Sequence, residues 1–220
     1  MKIQGAVVLI TSAGSAMGRM LSQHYAELGA KLVLCDHQPH LLEETHTLCN
    51  ALKASTISYT LSTTPTDDVD ALLEYIEQTY QQAPDILINH WPNSAPPSLL
   101  LASEHINACL TQWGRMTNNF FVFGQRCAQR MRQSSHPGVI INTVSFNRVN
   151  DEHAMESTNA MLMGFTQSWA KELLPYQIRV GGVIPHSQSK HGQHHDYAEL
   201  TRHTEYIVAN DYFSGRVVTT

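Results

Sequence analysis

Short apolar runs alternate with longer amphipathic stretches along the whole 220-residue chain. The runs at 6–11 (AVVLIT), 31–35 (KLVLC), 56–61 (TISYTL), 85–89 (DILIN), 138–144 (GVIINTV), 178–184 (IRVGGVI) and 216–219 (RVVT) predict strands. Helical periodicity fills the intervals near 17–29, 39–52, 67–82, 103–133, 153–174 and 196–209. Strands that are apolar on both faces and alternate with helices imply a parallel sheet covered on both sides. Right-handed crossovers make this a Rossmann-like, doubly wound α/β fold of about seven strands. No repeat, low-complexity tract or linker divides the chain, so residues 1–220 are expected to form one domain. Ligands of such folds sit beyond the carboxyl ends of the strands, which directs attention to the loops at 12–18, 36–38, 62–66, 90–98, 145–152 and 185–195.

Composition narrows the partners. Charged residues are 15% of the chain, the net charge is −5, and no run of lysine or arginine occurs, which excludes nucleic acid and anionic membranes as expected partners. The opening MKIQGAVVLIT has too short an apolar run for a signal peptide or a spanning helix, so a cytoplasmic protein is expected. Cys35, Cys49, Cys109 and Cys127 lie far apart without a Cys-x-x-Cys pair, which fits buried thiols in a reducing compartment.

The first strand runs directly into TSAGSAMG and a helix, a turn whose free backbone amides and helix dipole suit a pyrophosphate. The second strand ends at Asp36, about 18 residues past Gly18. There a carboxylate can bind both ribose hydroxyls and repel a 2′-phosphate, so a bound dinucleotide would be NAD rather than NADP. The alternative reading of Asp36 is a solvated loop acid.

With these landmarks in order, the chain resembles the short-chain dehydrogenase/reductase family over nearly its full length. VVLITSAGSAMG matches the Gly-rich turn, DILINHWP the Asn-Asn-Ala-Gly region, and GVIINTVS the strand that ends in the catalytic serine. MESTN with GFTQSWAKEL follows as the active-site helix, then IRVGGVIPH and IVANDYFSGRVVT. The resemblance implies NAD(P) chemistry with an Asn, Ser, Tyr and Lys set. It also implies dimers or tetramers built through the helices at 103–133 and 153–174. Carried over by position, the serine is Ser145, the tyrosine and lysine fall on Met155 and Asn159, and the helix asparagine falls near Met116, with Asn118 and Asn119 close by. The positions that would hold the cofactor are Thr11, Ser12, Ser15, Met17, Gly18, Asp36, Asn89 and Pro185. Ser12 and Ala16 stand where the family has glycine, His90-Trp91-Pro92 replaces Asn-Ala-Gly, and Leu61-Ser62-Thr63 lacks the acid near the adenine.

Methionine has no proton to give a substrate oxygen, and asparagine has no charge with which to lower a phenol's pKa. General acid–base catalysis is worth roughly 10²–10⁴-fold, so the family reaction should be very slow here. Lys171 projects about 160° away from Met155 around the helix, and no tyrosine lies between Tyr80 and Tyr176. His153 is the best alternative proton donor, although such a residue is more often simply a polar residue at a helix start.

Three functional readings follow. The first is a degenerate family member that binds a nucleotide or other ligand, or pairs with an active relative or with itself. The second is an NAD-dependent oxidoreductase using Ser145 with His153 or water. The third is a structural subunit whose groove Trp91 closes. His186, His191, His194 and His195 read either as metal ligands or as a solvated loop, and no metal is expected.

Overall fold

The computed structural model describes residues 1–62, 65–93, 106–134, 136–146, 152–184 and 197–220. Seven strands form one sheet: β1 Val7–Thr11, β2 Lys31–Asp36, β3 Ser55–Thr60, β4 Ile86–Asn93, β5 Gly138–Phe146, β6 Ile178–Ile184 and β7 Arg216–Thr219. Every pairing is parallel and the order is β3-β2-β1-β4-β5-β6-β7, so the strand order reverses between β1 and β4. The helices are α1 Ala16–Glu27, α2 Pro39–Ala51, α3 Pro65–Tyr80, α4 Ile106–Ser134, α5 Glu152–Leu173 and α6 Tyr197–Ala209. Among the described residues no helix is long and apolar enough to cross a membrane.

Strands and helices lie where periodicity places them, within about three residues at each end. Two strands differ in a way that matters. β4 does not stop at Asn89 but continues through Asn93, and β5 continues past Val144 to Phe146, paired as His90↔Thr143, Pro92↔Ser145 and Asn93↔Phe146. The segments expected as loops from 90 and from 145 therefore begin as strand. Proline is tolerated because β1 pairs with β4 only as far as Ile88. The peptide of His90 faces β1, since its N–H and C=O both meet the Thr11 hydroxyl. Pro92, two residues on, turns its missing N–H to that same side, now an unpaired edge.

Alternation along the strands separates two cores. Leu87, Trp91, Ile140, Val144 and Phe146 join α3, α4 and α5 on one face. Ile86, Ile88, Val139 and Ile141 join α1, α2 and α6 on the other. On the first face, α4 and α5 approach closely at Gly124, where an added Cβ would lie 2.5 Å from the Trp169 ring. Trp169 stacks on Phe120 at 5.5 Å and is itself held by Phe165 at 5.3 Å, so it has little room to yield. Gly124→Ala should overpack this contact by about 1–3 kcal/mol and lower the thermal midpoint by about 3–10 °C; calorimetry of the variant checks it.

Candidate active site and cofactor groove

The β1–α1 turn is built where the family's first glycine is replaced. Ser12 adopts φ 51°, the left-handed region that glycine occupies without strain. Gly18 is required, because a Cβ there would meet the Ser12 carbonyl at 2.2 Å. The turn satisfies most of its own donors. The Ser12 carbonyl accepts the Ser15 hydroxyl at 2.8 Å and the Ser15 N–H at 3.1 Å, and the Ser15 Oγ caps α1 by accepting the Gly18 N–H at 3.0 Å. The Gly14 N–H goes to Asp36 Oδ2 at 2.9 Å. Where free amides were expected, the Gly14, Ser15 and Gly18 N–H groups are engaged, which leaves those of Ala16 and Met17 without a partner among the described residues. The Met17 side chain is fully buried in the core, so only its backbone can face a ligand.

Asp36 is neither free nor simply solvated. Its second oxygen accepts the Gln38 N–H at 2.9 Å, so one carboxylate clasps the turn to the β2–α2 loop. Asn89 is buried and donates to the Phe120 carbonyl at 2.9 Å, tying β4 to α4. Trp91 packs beside Phe120 at 6.0 Å and is 8% exposed. Together with Leu61 and Phe123 these residues line a cavity of about 210 Å³ that ends at Asp36 and His37. Sites for drug-sized ligands usually run about 300–1,000 Å³, so the described part of the groove is small. Asn119 also lines it, with Nδ2 at 3.2 Å from His37 Nε2.

The contact that sequence reasoning missed is at His90. This side chain is 3% exposed, its Nε2 lies 2.9 Å from Ser145 Oγ, and its Nδ1 lies 3.4 Å from Ser15 Oγ. Burial pushes the ring from the usual 6.5 down to about 3, against the Ser12 and Thr11 backbone contacts that favour the charged form. A polar residue inside the apolar run DILINHWP was the available signal, but beside proline it reads as loop.

The face of the sheet also matters. Val144 and Phe146 join Met155 in the α4/α5-side core. Alternation therefore turns Ser145 to the α1 side, where it meets His90. Met155 is 1% exposed within apolar packing, and Asn159 is half-buried with its Oδ1 lacking a partner among the described residues. The side chains of Met116 and His153, together with Pro185 and the four histidines of 186–195, lie outside the described residues.

Two predictions follow from the turn and from His90. Ser12→Gly relieves about 1–2 kcal/mol of strain and costs about 0.4–1 kcal/mol in unfolded-chain entropy, so chemical denaturation should show a gain of about 0–1.6 kcal/mol. For His90 the folded pKa lies below the unfolded one, so the neutral ring's contribution is complete above pH 6.5 and is lost as pH falls toward about 3. The difference in unfolding free energy between the protein and His90→Asn should change across that interval by up to about 1.4 kcal/mol per pH unit. A difference that stays constant with pH would contradict a buried neutral imidazole.

A family model described as short chain dehydrogenase matches residues 6–193. The 3-oxoacyl-acyl-carrier-protein reductase of Thermotoga maritima is 27% identical over 192 residues, covering 84% of this chain and 75% of the reductase. The (3R)-3-hydroxyacyl-CoA dehydrogenase of the dog, Canis lupus familiaris, is 25% identical over 199 residues, with 84% and 74% covered. A short-chain dehydrogenase/reductase from Mycobacterium marinum superposes with a TM-score of 0.83 at 21% identity, covering 99% of this chain and 94% of the other. NAD+-bound xylitol dehydrogenase superposes equally well, at 0.83 and 18% identity with 100% and 98% covered; both share the fold. Through its matched sequence and its seven-stranded parallel sheet, the chain belongs to the short chain dehydrogenase family.

Proposed function

We propose that this protein is a catalytically degenerate member of its family, whose crevice binds a nucleotide or small ligand without oxidising or reducing it. The observation that carries this reading is Met155, an apolar side chain sealed in the α4/α5 core at the position where the resemblance places the proton-donating tyrosine. Asn159 supplies no charge at the lysine position, and Ser145 turns toward His90 on the other side of the sheet. The curated relatives are named as reductases and dehydrogenases, and the family binds NAD(P). Here the small cavity, the Trp91 wall and the Asn119–His37 contact all favour a reduced affinity for a whole dinucleotide. The Asp36 carboxylate favours NAD over NADP by repelling a 2′-phosphate. The outer face of α4 and α5, with Phe121 and Met163 exposed, is offered to a second copy or to an active relative.

Pure protein with NAD or NADH should turn over 3-hydroxyacyl or 3-oxoacyl thioesters at least about 10²-fold more slowly than an intact family member measured alongside, from the loss of the acid alone. Calorimetry should give weaker binding for NADP than for NAD. Robust NAD(H)-dependent turnover that disappears in Ser145→Ala would overturn the reading.

A further inference from the structure

The cavity at the strand ends holds a negative charge without a counter-charge. Asp36 lines it, is half-buried, and takes part in no ion pair among the described residues. No lysine or arginine is among the described residues that line the cavity. His37 does not supply the missing charge. The Asn119 amide nitrogen can only donate, so His37 Nε2 accepts at 3.2 Å and the ring is neutral, with its proton on Nδ1. Each Asp36 oxygen takes one backbone N–H, from Gly14 and from Gln38, both at 2.9 Å. A carboxylate has about four lone-pair sites, so about two remain, on a group that the two amides hold in one orientation. Elsewhere the wall is apolar, formed by Leu61, Trp91, Phe120 and Phe123. A carboxylate beside apolar side chains is stabilised most by a cation that brings its own N–H donors.

We propose that this cavity selects a small arylalkylamine, with Asp36 as counter-ion to the primary ammonium and the apolar wall receiving the ring. A phosphate or carboxylate on the ligand would meet Asp36 with no cation to offset the repulsion. A neutral hydroxyl would make the hydrogen bond without the charge that strengthens it. Size points to the same class. An apolar cavity of about 150 Å³ takes benzene, so a cavity of about 210 Å³ has room for one ring with a short amine arm and not for a dinucleotide. Asp36 is thus the specificity-determining residue. The inference rests on the reading that the crevice binds a small ligand, and it names that ligand's class.

Phenethylamine, 2-phenylethanol and phenylacetate share a ring and differ in the charge at the end of the arm, so calorimetry with the full-length protein tests the inference. The amine should bind about tenfold tighter than the alcohol, the acid should bind more weakly than either, and added salt should narrow the gap. The Trp91 indole N–H resonance, assigned by comparison with Trp91→Phe, should shift as the amine is added. Asp36→Asn should bring amine and alcohol to within about twofold of each other. Should that variant not fold, the three affinities and the Trp91 resonance in the unaltered protein decide. An alcohol or acid that binds as tightly as the amine overturns the inference, as does an amine preference that survives Asp36→Asn or leaves Trp91 unmoved. Adenosine, AMP and NAD titrated alongside separate the two proposals. Binding of any of these without the amine overturns the inference and leaves the ligand-binding reading standing, whereas failure of all six compounds at millimolar concentration overturns both.

Discussion

The Thr11 hydroxyl carries the β1–β4 contact one step beyond the last backbone pair. It donates to the His90 carbonyl at 2.9 Å and accepts the His90 N–H at 2.8 Å, in a position that is buried. The backbone ladder between these strands ends at Ile10↔Ile88, and the chain of β1 then turns away into α1. Without a side chain that both donates and accepts, the buried peptide of His90 would lose its partner, at about 1–3 kcal/mol for an unsatisfied group. With it, β4 stays straight long enough to pair with β5 as far as Asn93↔Phe146. The His90 imidazole is then held between the Gly-rich turn and Ser145, and the wall of the groove is set by Trp91 rather than by a loop.

The extension of β4 and β5 separates groups that the linear order of motifs places together. Phe146 and Val144 belong to the same packed layer as Met155, so the backbone alternation that seats them there also carries Ser145 to the opposite side. A methionine at 155 is stabilised by that layer in the way any buried apolar side chain is, by roughly 1.5–3 kcal/mol of burial. A tyrosine there would need a partner for its hydroxyl, or a route to the crevice. Geometry and residue type thus agree: the position packs, and the serine bonds elsewhere.

Much of the fold is legible in the sequence because each strand from β1 to β6 other than β3 is apolar on both faces and each helix has one apolar stripe. The end of β4 is not, because His90-Trp91-Pro92 has the composition of a turn. His90 is buried only because two serines distant in the chain satisfy its ring, and Pro92 is accepted only because one side of the strand has run out of partners. Neither fact is local. The same limit applies at Asp36: its place at the end of β2 marks it as a ribose ligand, whereas its two oxygens are committed to the Gly14 and Gln38 amides. Asn89 lines the groove as the motif suggests, yet its amide serves the α4 backbone. Side-chain type and position predict which residues border the crevice; which way their protons and lone pairs point depends on tertiary contacts.

Where this chain departs from the family pattern in the described region, the departures are mostly filled from within. Trp91 packs against Phe120, Met155 joins the apolar layer, and the amides of Gly14, Ser15 and Gly18 find partners inside the turn. Ser12 retains a left-handed backbone at a cost of about 1–2 kcal/mol, yet its carbonyl accepts two hydrogen bonds and anchors the network that orients His90. A site assembled to release charge during a reaction keeps donors preorganised and open toward the reacting atoms. Here the Gly14, Ser15 and Gly18 donors face inward, so the network contributes rigidity to the strand ends and leaves the Ala16 and Met17 amides as the turn donors without a partner among the described residues.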